Sequence, residues 1–321
     1  MPIVGNNQVG RALPNISFFG SQSWTPAYSM QAYVYVIGAG GSGGVAGSND
    51  TARSGGGGAG GCAVSFLTLL SSITYTITIG AGGAKRESTG AVAGNAGGNS
   101  SLAGSNISTM TGNGGGAGAT SASSTAAGGA GGSASGGTIC NNTGGAGGSA
   151  ASTNQAVGAG GAVGLWTTGN LGSNGTNGFV RGGNFGYDDG TLGNSGNEEY
   201  LSALSAGSGV ASIAPFDVFD NMVANTSNTN SGSNYFNTSP FQGNRPAGAT
   251  RGNHLLMGGS YEYGGAASPF CGGHAVKRNS KYYQGSGGCL GGGGGATNGT
   301  GTSSSGAGGN GGILIFPVDM G

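Results

Sequence analysis

Charge is nearly missing from this sequence. Lys and Arg together number 10, Asp and Glu another 10, so charged residues make up 6% of 321, against ~25% in an ordinary soluble domain. Net charge is zero, and no basic tract exists. That excludes non-specific nucleic-acid binding, which needs a cationic footprint on the phosphates. The short cluster Lys277, Arg278, Lys281 reads as a solvated loop. Highly charged disorder is a poor description for the same reason. Proline is scarce at 8 residues, which excludes collagen. Long apolar runs are absent, and none reaches the ~18 residues of a membrane-spanning helix. Met1 to Gly10 lacks a basic start and an apolar centre, so no secretory signal is visible.

Catalytic side chains are equally sparse. His254 and His274 are the only histidines. Asp188/Asp189 and Glu198/Glu199 are adjacent acids, which read as surface turns; a glycosidase pair is a spatial constellation that adjacency does not supply. The four cysteines, Cys62, Cys140, Cys271 and Cys289, contain no CxxC pair and suggest no zinc site. Small buried thiols are expected, with one disulfide left open. Gly38, Gly40 and Gly43 match GxGxxG after the strand-like VYVI, but no amphipathic helix follows to receive a pyrophosphate. No GxxxxGK occurs. The expectation is a non-enzymatic protein without catalytic residues, metal or cofactor.

What the sequence has is glycine, 80 residues, about a quarter of the chain where ~7% is average. Glycine, alanine and serine offer little side chain to bury, so a conventional core cannot fill most of the chain. The glycine falls in tracts at Gly55–Gly61, Gly112–Gly118, Gly128–Gly137, Gly144–Gly148, Gly158–Gly164, Gly287–Gly295 and Gly306–Gly312. Flexible coil and packed polyglycine-II helices compete as readings. The helix has three residues per turn and no internal hydrogen bonds, so its amides need neighbouring helices as partners. Glycine would occupy the contacts, and alanine, serine and asparagine the outward positions.

Strand signals frame the tracts. QAYVYVI at Gln31–Ile37 and ITYTITI at Ile73–Ile79 are β-branched and aromatic. ILIFPV at Ile313–Val318 closes the chain, with Pro317 at an edge or exit. CAVSFLTLL at Cys62–Leu70 adds an apolar run. These predict a small sheet in a mainly β and irregular fold of very low α content. The organisation expected is a candidate attachment segment at 1–30, a glycine-rich β/polyglycine region at 31–183, an aromatic-richer insertion at 184–286 and a closing segment at 287–321. Within the insertion, Val210–Val223 permits a helical turn or two, limited by Pro215.

The ordered series AYVYVIGAGGSGG at Ala32–Gly44, GGGGAGGCAV at Gly55–Val64, YTITIGAGG at Tyr75–Gly83, GNAGGNSSL at Gly94–Leu102 and GGNGGILIF at Gly308–Phe316 resembles the glycine-rich domain of bacteriophage tail fibres and distal tail-fibre adhesins. It covers roughly the first third and last tenth of the chain. The resemblance implies a packed polyglycine-II sandwich with variable loops, located in the virion tail fibre. It implies other virion or tail proteins as partners, a homotrimer or a tip subunit on a trimer, and a host surface glycan or outer-membrane protein as receptor. The receptor-contact candidates are Tyr187, Tyr235, Phe236, Tyr261, Tyr263, Tyr282 and Tyr283, because tyrosine combines contact area with a hydrogen-bonding tip. A purely structural virion protein, with those aromatics buried between subunits, is the alternative.

Overall fold

The computed structural model describes residues 15–46, 52–122, 124–150, 290–298 and 302–318, isolated positions within 158–172, and a few short pieces between 261 and 288. In chain order its strands are β1 (Ile16–Phe18), β2 (Gln22–Trp24), β3 (Met30–Ile37), β4 (Arg53–Ser54), β5 (Cys62–Leu69), β6 (Tyr75–Thr78), β7 (Glu87–Ser88), β8 (Ser100–Gly104) and β9 (Ile107–Gly112). They continue with β10 (Thr120–Ser121), β11 (Ala134–Ser135), β12 (Cys140–Asn142), β13 (Tyr261–Tyr263), β14 (Val276–Lys277), β15 (Tyr282–Gln284), β16 (Thr297–Asn298), β17 (Ser303–Ser304) and β18 (Gly312–Val318). No helix occurs among the described residues.

Alternation along the longer strands builds a sandwich. One sheet has the order β1-β18-β3-β5-β12, the other β11-β9-β8-β6-β2. Ala32, Val34 and Val36 of β3 turn one way, with Ile313, Ile315, Ala63 and Leu69, and meet Tyr75, Ile77, Leu102 and Met110 of the facing sheet. The expectation of one small sheet is therefore corrected. The 73–79 segment crosses to the opposing sheet, because Tyr75 and Ile77 must cover the inner face of β3. Tyr75 is fully buried, and its hydroxyl accepts from Leu70 N and donates to Asn106 Oδ1, both at 2.9 Å. Pro317 pairs with Ala32 on one side, beyond the reach of β1, which stops at Ile315. Its missing N–H therefore breaks no second ladder.

At the glycine end of the sandwich the period changes from two to three. Strands run directly into glycine tracts, numbered here tract I (38–46), II (55–61), III (80–84), IV (92–99), V (113–119), VI (127–133), VII (143–150), VIII (158–161), IX (291–296) and X (305–311). Successive amides of tract I point to three different neighbours in rotation. Gly38, Gly41 and Gly44 donate to tract II at Gly61, Gly58 and Gly55. Ala39, Ser42 and Val45 donate to tract IV at Gly98, Asn95 and Val92. Gly40 and Gly43 donate to tract X at Gly309 and Gly306. Carbonyls of tract I in turn accept from Gly83 of tract III, Gly115 and Gly118 of tract V, and Gly294 of tract IX. Six tracts thus encircle tract I, in the order II, V, IV, III, X and IX, and each is bonded to the next around the ring.

Tract II has the same environment. It donates in rotation to tracts V, VII and IX, and accepts from I, VI and VIII. This is the polyglycine-II arrangement, with three residues per turn and every bond made between helices. The flexible-coil reading is not what these tracts adopt. Among the described glycines positive φ is confined to Gly136 and Gly291, so the helices are left-handed. The absence of Cβ is obligatory at the centre. A Cβ on Gly57 would run into the carbonyl of Gly41, and one on Gly41 into the carbonyl of Gly116.

The expected outward placement of non-glycine residues holds on the outer tracts and fails at the centre. Ala127, Ala130 and Ser133 of tract VI are exposed at every third position, as are Ala93, Ala96 and Asn99 of tract IV. Ala39, Ser42 and Val45 of tract I also recur every third residue, yet all are buried. Val45 bridges Val92, and the Ser42 hydroxyl accepts from Asn95 N at 2.8 Å.

Candidate functional site

The lattice has two ends. At one, the tracts merge with the sandwich strands. At the other, they give way to short strands and turns, and it is here that the described candidate residues fall. Tract X begins just after β17 and tract III ends just before β7, and these two strands pair antiparallel through Ser303↔Ser88 and Ser304↔Glu87. β15 joins β17 in parallel at Gln284↔Ser304, and β13 joins β15 through Tyr261↔Tyr282, Glu262↔Tyr283 and Tyr263↔Gln284. A second small pair, β14 and β16, continues tract IX by Val276↔Thr297 and Lys277↔Asn298. β4 and β10 pair at the same end, before tract II and after tract V.

Tyr261, Tyr263, Tyr282 and Tyr283 are thereby brought together on two adjacent strands beyond the lattice. Tyr187, Tyr235 and Phe236 lie outside the described residues, as do His254, His274, Asp188, Asp189, Glu198, Glu199, Cys271, Cys289 and the 210–223 segment. Residues 15–28 of the candidate attachment segment contribute β1 and β2, one to an edge of each sheet.

This end is anchored by side chains that continue the lattice bonding. Ser54 Oγ donates to Thr297 O at 2.9 Å, and Asn298 Nδ2 donates to Ala52 O at 2.9 Å. Buried Arg53 reaches Ser124 O through Nη1 at 3.2 Å. Ser305 Oγ accepts from Arg86 N at 2.9 Å. Lys85 and Glu87 form an exposed ion pair at 3.8 Å, which contributes little in water.

Chemistry is sparse among the described residues. No group of His, Cys, Asp and Glu there could hold a metal ion. Cys62 and Cys140 are free thiols on adjacent strands, where Cys62 pairs with Asn142 and Cys140 with Val64. That diagonal register, typically ~7–8 Å, exceeds disulfide reach. Burial pushes the Cys62 thiol up strongly, with a further contribution from Cys140. Burial also raises Cys140, against a lowering hydrogen bond from Asn142. Neither is an activated thiolate. Gly38, Gly40 and Gly43 of the GxGxxG match are spent on the lattice, donating to tracts II and X.

Sequence reasoning did not find two features. One is the outer face of the β3 sheet, where Tyr33 meets Phe66 in a tilted contact at 4.9 Å and Tyr35 meets Phe316 edge-on at 5.6 Å. The other is a set of polar side chains at the lattice margin. Asn99 Oδ1 accepts from Gly114 N, Asn310 Oδ1 from Gly82 N, and Ser149 Oγ from Gly128 N, at 2.9, 2.8 and 3.3 Å. The asparagine in GGN was the available signal.

Residues 16–156 match the glycine-rich domain family. The chain carries a glycine-rich domain. No curated protein matches it. In this glycine-rich domain the lattice extends past the match. Tracts VIII, IX and X all come from later in the chain, and β18 stands between β1 and β3.

Proposed function

We propose that the protein is a phage tail-fibre component or tip adhesin, in which the glycine lattice is a rigid scaffold presenting residues at its far end to a host cell surface. The carrying observation is the placement of Tyr261, Tyr263, Tyr282 and Tyr283 on paired strands at the lattice end remote from the sandwich. A lattice bonded in every direction holds its end strands without the entropic freedom of a linker. The receptor in this reading is a host surface glycan or outer-membrane protein, with Tyr187, Tyr235 and Phe236 as further contacts. The sandwich end, with residues 1–30, would face other tail proteins, as a homotrimer or a tip subunit on a trimer. The protein works in the virion, as a binder and not an enzyme, without cofactor or metal.

The competing reading is a purely structural virion protein. It is favoured by exposed Phe66 beside Tyr33, an aromatic surface of the kind that subunits cover. Cryo-electron microscopy of the intact particle, combined with adsorption assays, tests both. The adhesin reading expects distal density and loss of adsorption when Tyr261, Tyr263, Tyr282 and Tyr283 are replaced by alanine, with assembly intact. Density enclosed by other subunits, or normal adsorption of the assembled variant, would overturn it.

A further inference from the structure

β17 and β7 grow directly out of tracts X and III, which are bonded to each other by Gly308 N to Gly83 O and Gly311 N to Gly80 O. The join is tightened where Ser305 N donates to Arg86 O at 2.8 Å and Arg86 N donates to Ser305 Oγ at 2.9 Å. The four-stranded sheet β13-β15-β17-β7 is therefore seeded on the lattice. Ser303 and Ser305 are fully buried, whereas Glu87, the register partner of Ser304, is exposed. Glu87 thus marks the outward face of this sheet. Residues paired in register share a face, and neighbours along a strand alternate. The register therefore sets Tyr263, Gln284, Ser304 and Glu87 in one row on that face, with Tyr261 and Tyr282 paired beside it. Glu262 and Tyr283 fall on the opposite face.

The row brings an aromatic residue, a carboxamide and a carboxylate onto adjacent strands, with small Ser304 between the last two. Three strand spacings of ~4.8 Å span ~14 Å, room for more than one sugar ring. A pyranose offers an apolar C–H face and a rim of hydroxyls that each donate and accept. Aromatic rings suit the face; a carboxamide donates and accepts, and a carboxylate accepts, which suits the rim. Charge in the row is balanced, since Lys85 Nζ lies 3.8 Å from Glu87 Oε2. An anionic ligand would meet that carboxylate. A protein partner would call for buried apolar and arginine anchors. Among the described residues the exposed large apolar side chains are Phe19, Tyr28, Phe66, Ile139 and Leu171, and none belongs to β7, β17 or the neighbouring β4, β10 and β16.

Resting on the adhesin reading above, we propose that the outward face of β13-β15-β17-β7 is a binding site for an uncharged oligosaccharide. Tyr261, Tyr263 and Tyr282 cover the sugar rings, and Gln284 and Glu87 bond their hydroxyls. Seeding on the lattice fixes the row before the ligand arrives, which lowers the ordering cost of binding.

The test is binding of the full chain to an array of uncharged oligosaccharides of glucose, galactose, mannose and N-acetylglucosamine, with sialylated and phosphorylated oligosaccharides alongside. Binding to at least one uncharged member is expected, and it should persist at high salt, because no net charge is paired. Tyr263→Ala, Gln284→Ala and Glu87→Gln are each expected to weaken it by roughly 10-fold or more, with circular dichroism unchanged. Phe66→Ser, at the sandwich end, should leave it as it was. Should Tyr263→Ala lose the fold, Glu87→Gln at its exposed position decides alone. Binding to no uncharged member, binding confined to the anionic members and lost at high salt, or full binding by folded Glu87→Gln and Gln284→Ala would overturn the proposal. If it fails while the tyrosine variants still lose particle adsorption, the adhesin reading stands with a protein receptor. If oligosaccharide binding is found and the tyrosine variants adsorb normally, the adhesin reading falls and the sugar site remains.

Discussion

Gly57 and Ala130 belong to the same lattice yet face opposite demands. The Gly57 Cβ position is occupied by the carbonyl of Gly41, whereas Ala130 projects into solvent. Neither side can yield at Gly57, because both contacts are backbone held by bonds in three directions. Gly57→Ala is therefore expected to destabilise by about 1–3 kcal/mol or more, while Ala130→Leu stays within ~0.5 kcal/mol; denaturant unfolding of the two variants separates them. The marginal asparagines act through the amides they cover. Asn99→Ala and Asn310→Ala each leave one edge amide to solvent and are expected to cost about 0.5–1.5 kcal/mol by the same measurement. Titration gives a third residue-level outcome. Burial holds Cys62 protonated in the fold, while an unfolded cysteine ionises near ~8.5. Above that pH the unfolded chain binds fewer protons than the folded one, so stability falls as pH rises. Tyr35, raised mainly by burial and then by Cys62, Cys140 and Tyr33, adds to the loss at higher pH. The unfolding midpoint is expected to be flat below about pH 8 and to decline above about pH 9. Cys62→Ala removes the earlier part of that decline.

The elements were legible to different depths. QAYVYVI and ILIFPV show alternation with large apolar residues, and they appear as Met30–Ile37 and Gly312–Val318, paired with one another as β3 and β18. The Ile73–Ile79 reading shortens to Tyr75–Thr78, and its sheet could not be assigned from composition, because Tyr75 and Ile77 choose their face only when a facing sheet exists. β8 and β9, reading SSLAG and ISTMTG, carry few apolar residues. Leu102 and Met110 are their only fully buried large side chains, with Ile107 partly buried, so no periodic signal announced them. The tracts were recognisable as helices by composition, but phase was not. Each tract keeps a strict three-residue register internally and loses it at every turn, so glycine across the whole chain looks aperiodic. The burial of Ala39, Ser42 and Val45 follows from the ring of tracts around tract I, which is a tertiary event. The far-end tyrosines were chosen by residue type; their meeting on β13 and β15 is a matter of register that spacing does not encode.

At the scale of the whole molecule, the match to the glycine-rich domain and the physical unit have different limits. Residues 16–156 supply both tracts I and II, yet the ring around tract I is closed by tracts IX and X, and tract IX also bonds tract II. β1 reaches its sheet only through β18, by Ile16↔Ile315, Ser17↔Leu314 and Phe18↔Ile313. Removing residues 287–321 would therefore strip amide partners from both central helices and expose Val34 and Val36 on the inner face of β3 by deleting Ile313 and Ile315 beside them. Unsatisfied backbone and uncovered core then fall on the same elements, with no local region left intact to unfold separately. A chain ending at residue 286 is expected to lose its cooperative thermal transition altogether. Trp24 reports this directly, since its ring packs against Phe18 at 5.3 Å and Tyr75 at 5.9 Å inside the sandwich. In a Trp166→Phe background, fluorescence of the truncated chain should match that of the denatured full-length chain at all temperatures. Adding the 287–321 peptide in excess should restore a blue-shifted emission and a melting transition, because every partner that the peptide needs is present in the remainder. A truncated chain with native Trp24 emission and an unchanged melting temperature would show instead that the matched residues close their own core.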